Sequence, residues 1–192
     1  MLLNVCFFVL DGLLQTTENG HYRMAQFSDD HMARLYERFV LEYYRHHHKE
    51  LTVNASQVKW NLSDDTEEIA IKYLPVMQTD IMLKQGKRAL IIDTKYYTHI
   101  MQQQKQFDSY SFHSGNLYQI FTYVKNEDAA GTGNVSGMLL YARTGEPITP
   151  DASFMMGGNQ ISIKTLDLNR NFSFIAQQLD EIVTEHFKQL KT

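Results

Sequence analysis

Apolar positions along this chain change their period several times, and each change marks an element. Met32, Leu35, Tyr36, Phe39, Val40 and Tyr43 recur at three- and four-residue intervals, the stripe of an amphipathic helix. Ser28 or Asp29 is placed to cap that helix, Asp29 and Asp30 suit its positive end, and the pattern runs to about His46. Val58, Trp60 and Leu62 alternate with polar neighbours and predict a short strand, followed by a polar loop over Ser63–Glu68. Two strand-like runs come next, Val76–Lys84 and Arg88–Tyr97, split by Gln85-Gly86-Lys87. The second contains Ala89-Leu90-Ile91-Ile92, an unbroken apolar run of the kind covered on both faces of a sheet.

Residues 98–112 are polar and Gln-rich and predict a mobile loop or a frayed helix. Leu117, Ile120, Phe121 and Val124 then form one stripe of a helix over Asn116–Lys125. A loop at 126–134 leads to a largely apolar strand, Val135–Arg143. Phe154–Met156 and Gln160–Leu168 predict a hairpin across Gly157-Gly158-Asn159. A last helix carries Phe172, Ile175, Ala176, Leu179, Ile182, Val183 and Phe187. At the front, residues 2–15 predict a hydrophobic core helix and 16–28 a loop. That apolar stretch is too short for a bilayer span and lacks the flanks of a signal peptide, so no membrane role is expected. The order of elements predicts an α/β domain with helices packed on a central sheet.

Composition narrows this further. A chain of 192 residues suits one domain at about 150 residues each, here 1–192, with 1–28 as a leading helix and loop and 29–192 as the core. The single cysteine, Cys6, excludes a disulfide framework and a Cys-based zinc site. It fits a reducing compartment, so a cytoplasmic location is expected. Lys and Arg number 18 against 22 Asp and Glu, for a net charge of −4. A nucleic acid could not be held by counterion release over the whole surface; it would need a local basic patch or a partner.

The segment PVMQTDIMLKQGKRALIIDTKYY carries the chemistry. With Gly86-Lys87 as a two-residue turn, Gln85 pairs with Arg88, and the same register sets Asp80 opposite Asp93, with Cβ atoms about 5 Å apart. Lys95 shares the face of Asp93, about 7 Å along the strand. Directly opposed like charges are destabilising, and a divalent cation would compensate them; oxygen ligands at that separation suit Mg²⁺. Lys95 would then face the attacking water, as in a metal-dependent phosphodiester hydrolase. The plain alternative is a solvated charged face. A strand that turns from ALII to Asp and Lys favours function, because buried charge needs a reason.

Asp80 followed by Asp93-Thr94-Lys95 resembles the PD-(D/E)xK nuclease signature. More specifically, LPVMQTDIML, ALIIDTKYY, NLYQIFTYV and, on the long helix, RLYERFV are similar to the C-terminal nuclease domain of the McrC subunit of McrBC modification-dependent restriction systems. The likeness is good over roughly residues 30–145 and loose elsewhere. It implies a restriction-endonuclease-like fold, a central mixed β-sheet flanked by helices. It also implies roles: Asp80 and Asp93 hold the metal, with the Thr94 carbonyl as a further ligand, and Lys95 orients or deprotonates the water. Glu37 matches the carboxylate that RecB-type members add, and Gln119 and Tyr123 match their Gln-x-x-x-Tyr motif, one helical turn apart. Each also has a local reading: Glu37 as a surface helix charge, Gln119 as the partner of an Asn116 N-cap, Tyr123 as a packing ring. Two departures stand out. Thr79, not Pro, precedes Asp80, and little of the family's N-terminal region precedes the nuclease-like part, which leaves docking to a motor subunit open.

Other signals carry less. Adjacent histidines in Arg45-His46-His47-His48-Lys49 point about 100° apart on a helix and read as a solvated C-terminus. Gly131-Thr132-Gly133 lacks the strand–helix context of a phosphate loop, and no Walker-type P-loop occurs. The expectation is therefore a Mg²⁺-dependent (or Mn²⁺-dependent) DNA endonuclease of the McrC type. Lys84, Lys87, Arg88 and Lys95 would grip phosphate, with Lys105 and Lys125 as further candidates. DNA and, from the resemblance, a GTP-dependent AAA+ motor subunit of the McrB type are the expected partners. The rivals are a RecB-type repair exonuclease and a catalytically inactive nuclease-fold module.

Overall fold

The computed structural model describes residues 28–97, 99–104, 109–146 and 148–187; the leading helix expected at 2–15 and its loop lie outside the described residues. Helix α1 (Asp29–His47) starts where the sequence predicts: Ser28 is the N-cap, and its Oγ accepts from His31 N at 3.3 Å. The chain then forms β1 (Thr52–Asn54), β2 (Gln57–Val58), the one-turn helix α2 (Glu68–Ile71), β3 (Met77–Gln78), β4 (Ile81–Gln85) and β5 (Arg88–Lys95). After β6 (Gln102–Gln104) and β7 (Ser109–Ser111) come α3 (Ser114–Glu127), β8 (Val135–Ala142), β9 (Ala152–Met156), β10 (Asn159–Leu166) and α4 (Phe172–Phe187).

Six strands make the central sheet in the order β1-β4-β5-β8-β10-β9. The middle pairs β5–β8 and β8–β10 are parallel, and the outer pairs are antiparallel. The sheet is thus mixed, as expected. Alternation along β5 decides which layer each residue meets. Leu90 and Ile92 join Val40, Tyr43 and Tyr44 of α1 and Leu179 and Val183 of α4 in one core. Ala89 and Ile91 join Ile120 and Val124 of α3, with Leu139 and Ile161, in the other. Three layers result, with β5 buried on both faces over residues 89–93. The architecture is α/β and restriction-endonuclease-like.

Several local expectations change. Trp60 and Leu62 lie outside any strand, and the predicted alternation there yields only the two-residue β2, paired with β3. The edge partner of β4 is instead β1, whose polar sequence hid it. Segment 98–112, expected as a loop or frayed helix, contains the β6–β7 hairpin. Helix α3 begins at Ser114 with His113 as N-cap. Asn116 is therefore inside the helix, and Gln119 has no capping duty.

Helix α3 approaches the sheet over Gly137, where a Cβ would meet Ile120 Cγ1 and Val124 Cγ2 at 2.8 Å. The helix ends in a loop organised by Asp128. Its Oδ1 accepts from Thr132 N (2.9 Å) and Thr132 Oγ1 (2.7 Å), and its Oδ2 from Gly133 N and Asn159 Nδ2, both at 2.8 Å. Gly131-Thr132-Gly133 is thus a structural loop. Burial pushes the Asp128 carboxyl up, but the hydrogen bonds from Thr132, Asn159 and Gly133 outweigh it and hold the pKa down at about 2.

Two outcomes are expected. Gly137→Ala forces α3 outward at Ile120 and Val124 and costs about 2 kcal/mol, measured by urea unfolding. Asp128→Ala strips four donors of their acceptor, one of them the amide of the buried Asn159, and costs about 2–3 kcal/mol at neutral pH. Because the folded-state pKa of Asp128 is depressed, its contribution is complete above the ordinary carboxylate range and fades as the pH falls through about 2. The stability gap between wild type and Asp128→Ala should therefore narrow between pH 4 and pH 2.

Candidate functional site

Gly86 sits at φ +58° at the first central position of the β4–β5 turn, a conformation that glycine adopts without strain. The register is the one read from the sequence: Gln85 opposes Arg88, and Ile81 opposes Ile92. The ladder stops there. Asp80 does not form a cross-strand pair with Asp93. The chain bends at Asp80, and its Oδ2 accepts from Thr94 N at 2.7 Å and Thr94 Oγ1 at 2.8 Å. The carboxylate replaces the main-chain acceptor that a longer β4 would have offered Thr94. This relieves the direct opposition of like charges and leaves both acids at the C-terminal tip of β5.

Asp93 and Lys95 follow Ile91 onto the α3 face. Their side chains are only 3% and 13% exposed, with Lys95 Nζ 2.6 Å from Asp93 Oδ2. The contact is an ion pair without the angle of a directed hydrogen bond. Asp93 Oδ2 remains a buried acceptor with no hydrogen-bond partner among the described residues. Lys95 Nζ instead donates to Gln119 Oε1 at 3.2 Å, and Gln119 Nε2 donates to Tyr123 OH at 3.2 Å. Gln119 and Tyr123 share one face of α3 and form a relay that ends on Lys95.

The electrostatics follow from crowding. Burial pushes the Asp93 carboxyl up; Lys95 opposes this, Asp80 and Glu37 reinforce it, and the net is about 6. Glu37, half-buried on α1, is also raised, first by burial and then by the charge of Asp80. Burial alone would lower the Lys95 pKa, but the charge of Asp93, with Tyr97 and Asp80 beyond it, raises it overall. Lys95 is thus an ammonium at neutral pH. Three carboxylates around one ammonium leave an excess of negative charge that a divalent cation would relieve.

The donor set fits such an ion. Asp93 Oδ2, paired with Lys95 but without a directed hydrogen bond, could accept a cation, and Asp80, Glu37 and the carbonyl of Thr94 would supply further hard oxygens, which suit Mg²⁺ with its retained waters. Among the described residues, no three His, Cys, Asp or Glu side chains are already closed into a metal cage.

Of the residues singled out from the sequence, the structure brings Glu37, Asp80, Asp93, Thr94, Lys95, Gln119 and Tyr123 to one end of β5. It does not bring Lys84, Lys87 and Arg88 there. They lie at the other end of the hairpin, about 23 Å away along β5. Lys84 pairs with Glu127 at 2.6 Å, and Arg88 reaches His186 O at 3.4 Å. Lys125 is also remote and bonds Gly157 O and Asn159 Oδ1, while Lys105 lies outside the described residues. His47 stacks on Tyr43 with ring centroids 4.6 Å apart, and His48 bridges Glu50 and Asp180, so the histidine run ties α1 to α4.

One network was not read from the sequence. Tyr97 OH donates to Asn116 Oδ1 at 3.3 Å, and Asn116 Nδ2 donates to Tyr141 OH at 3.0 Å. Tyr141 stands in register with Lys95 on the neighbouring strand, so the network backs the lysine. Its one legible signal was the parity of Tyr141 within β8, which sets it on the same face as Gly137.

Lys95→Met leaves Asp93 buried beside two other acids. It should cost about 3 kcal/mol in urea unfolding, and Asp93→Leu combined with Lys95→Met should recover most of that loss, because an apolar pair replaces a buried ion pair at little cost. Equal stability of wild type and Lys95→Met would contradict the ion pair.

The family model described as McrBC 5-methylcytosine restriction system component matches residues 2–142, a stretch that holds Glu37, Asp80, Asp93, Lys95, Gln119 and Tyr123. The chain is also 28% identical over 189 residues to the Type IV methyl-directed restriction enzyme EcoKMcrBC of Escherichia coli (strain K12), across 97% of this chain and 53% of that protein. It spans about half the length of the curated relative that it matches. Among the described residues, no helix is long and apolar enough to cross a membrane. The matched stretch takes in three-quarters of the chain and the whole acid–lysine centre, so this chain belongs to the family of McrBC 5-methylcytosine restriction system components.

Proposed function

We propose that this chain is the nuclease part of an McrC-type restriction subunit and hydrolyses DNA phosphodiester bonds with Mg²⁺ or Mn²⁺. The observation that carries the reading is the buried Asp93–Lys95 ion pair, 2.6 Å long and under the charge of Asp80 and Glu37. Asp80, Asp93 and the Thr94 carbonyl would hold the cation, with Glu37 behind them. A cation held there would supply Lewis-acid polarisation of the phosphodiester and offset its developing charge.

The side chains of the chain itself do the rest. Lys95, charged at neutral pH, orients the attacking water and steadies the negative charge that grows on the phosphate oxygens. Gln119 holds the ammonium through Oε1 as a second, weaker anchor beside Asp93 Oδ2. Tyr123 fixes the rotamer of Gln119. Asp93 would hold the cation, and Lys95, placed between Asp93 and Gln119, would present its ammonium to the substrate. Recognition of a modified base and delivery to the target would rest with a partner, a GTP-dependent AAA+ motor of the McrB type. An acidic chain with few basic groups at its centre suits a nuclease brought to DNA in this way.

The test is cleavage of supercoiled plasmid and of linear duplex with Mn²⁺ or Mg²⁺, comparing wild type with Lys95→Ala and Asp93→Ala. Metal-dependent cleavage of both substrates is expected, with losses of at least about 100-fold in each variant. Activity on linear ends alone would point to an exonuclease of the RecB type. Cleavage unchanged in Lys95→Ala would overturn the assignment.

A further inference from the structure

The three parallel strands β5, β8 and β10 end on one edge, and the acid–lysine centre occupies only the β5 part of it. Beside it runs an open groove of about 610 Å³ lined by Tyr96, Arg143, Thr144, Gly145, Asp167 and Arg170, among others. Open α/β sheets bind ligands outside the carboxyl ends of their strands. Lys95 registers with Tyr141, and Tyr141 with Thr165, so Arg143 and Asp167 each lie two residues beyond that row. Strand spacing and rise place the Arg143 backbone about 8 Å from that of Lys95.

We infer that Arg143 and Arg170 form a phosphate-binding site for the DNA backbone that continues from the acid–lysine centre. This rests on the nuclease reading for the position of the DNA. Asp167 organises the pair. Its Oδ2 accepts from Arg143 Nη1 at 2.5 Å and from Arg170 Nε at 3.3 Å, while its Oδ1 accepts from Asn169 N at 3.1 Å. One carboxylate thus holds two guanidiniums, and the cluster keeps one net positive charge. Each arginine commits a single donor nitrogen to Asp167 and has further N–H groups to offer in a planar fork that matches phosphate oxygens. Their side chains are 45% and 63% exposed, whereas Asp167 is 12% exposed. The acid is buried and the cations face solvent.

Position supports the assignment. Tyr96 lines the groove and also packs against Tyr36, with ring centroids 6.2 Å apart, and Tyr36 precedes Glu37 on α1. The groove lies on the same carboxyl-end edge of the sheet as the centre and is reached through Tyr96, the residue after Lys95. The basic residues at the other end of β5 are about 23 Å distant and partly neutralised by Glu127.

The test is binding of a fluorescent duplex oligonucleotide to the whole chain in Ca²⁺, which separates binding from cleavage, across a salt series. Four proteins are compared: wild type, Arg143→Gln with Arg170→Gln, the charge-keeping Arg143→Lys with Arg170→Lys, and Lys84→Gln with Lys87→Gln and Arg88→Gln. The double Gln variant should bind about tenfold more weakly at low salt and lower the slope of log affinity against log salt by about 2, one for each lost phosphate contact. The double Lys variant should keep the slope, which shows that charge rather than folding is read. Loss of slope in the Lys84, Lys87 and Arg88 variant, with none in the double Gln variant, would overturn the site, as would absence of duplex binding by wild type. Failure of plasmid cleavage with the Arg-dependent slope intact would count against the nuclease reading and leave the phosphate site standing.

Discussion

The ion pair between Asp93 and Lys95 is the constraint around which the molecule is arranged. Two charged groups this deeply buried are costly, and their attraction offsets the cost only when every neighbour cooperates. Helix α3 and the sheet supply such neighbours. Helix α3 offers Gln119 to the ammonium, β8 sets Tyr141 beside it, and the bend before β4 turns Asp80 away onto Thr94. The apolar run before Asp93 makes the arrangement possible, because a strand covered on both faces cannot twist its last residues out to solvent. Excess acid remains even so, with Asp80 and Glu37 both raising the Asp93 carboxyl.

Much of this was legible because β5 obeys simple rules. Gly86 fixed the turn, the turn fixed the register, and parity then set Asp93 and Lys95 on one face. The helix stripes of α1, α3 and α4 were equally plain, since each pairs a 3.6-residue period with a large apolar face. The resemblance of four ordered segments to McrC added Glu37, Gln119 and Tyr123, whose convergence no periodicity could reveal.

What stayed hidden has physical causes. Strand β1 and the β6–β7 hairpin are short and polar, and tertiary pairing rather than side-chain pattern defines them. Asn116 has the chemistry of an N-cap, yet its amide serves Tyr97 and Tyr141 because the helix begins at Ser114. Basic residues near a motif in sequence were read as near it in space. An extended strand carries Arg88 and Lys95 to opposite ends, while Arg143 and Arg170, far along the chain, arrive at the same edge through parallel pairing. Contact across parallel strands is the long-range information that a linear reading lacks.

The bend at Asp80 has a wider consequence. Its carboxylate closes the hydrogen-bond ladder at Thr94, so a group suited to ligation is also the last rung of the sheet. Any ligand that drew Asp80 away would release the Thr94 amide and loosen the tip of β5. A neutral replacement at this position removes a charge and a backbone clasp together. Asp80 is thus a structural clasp of the sheet whatever else it holds.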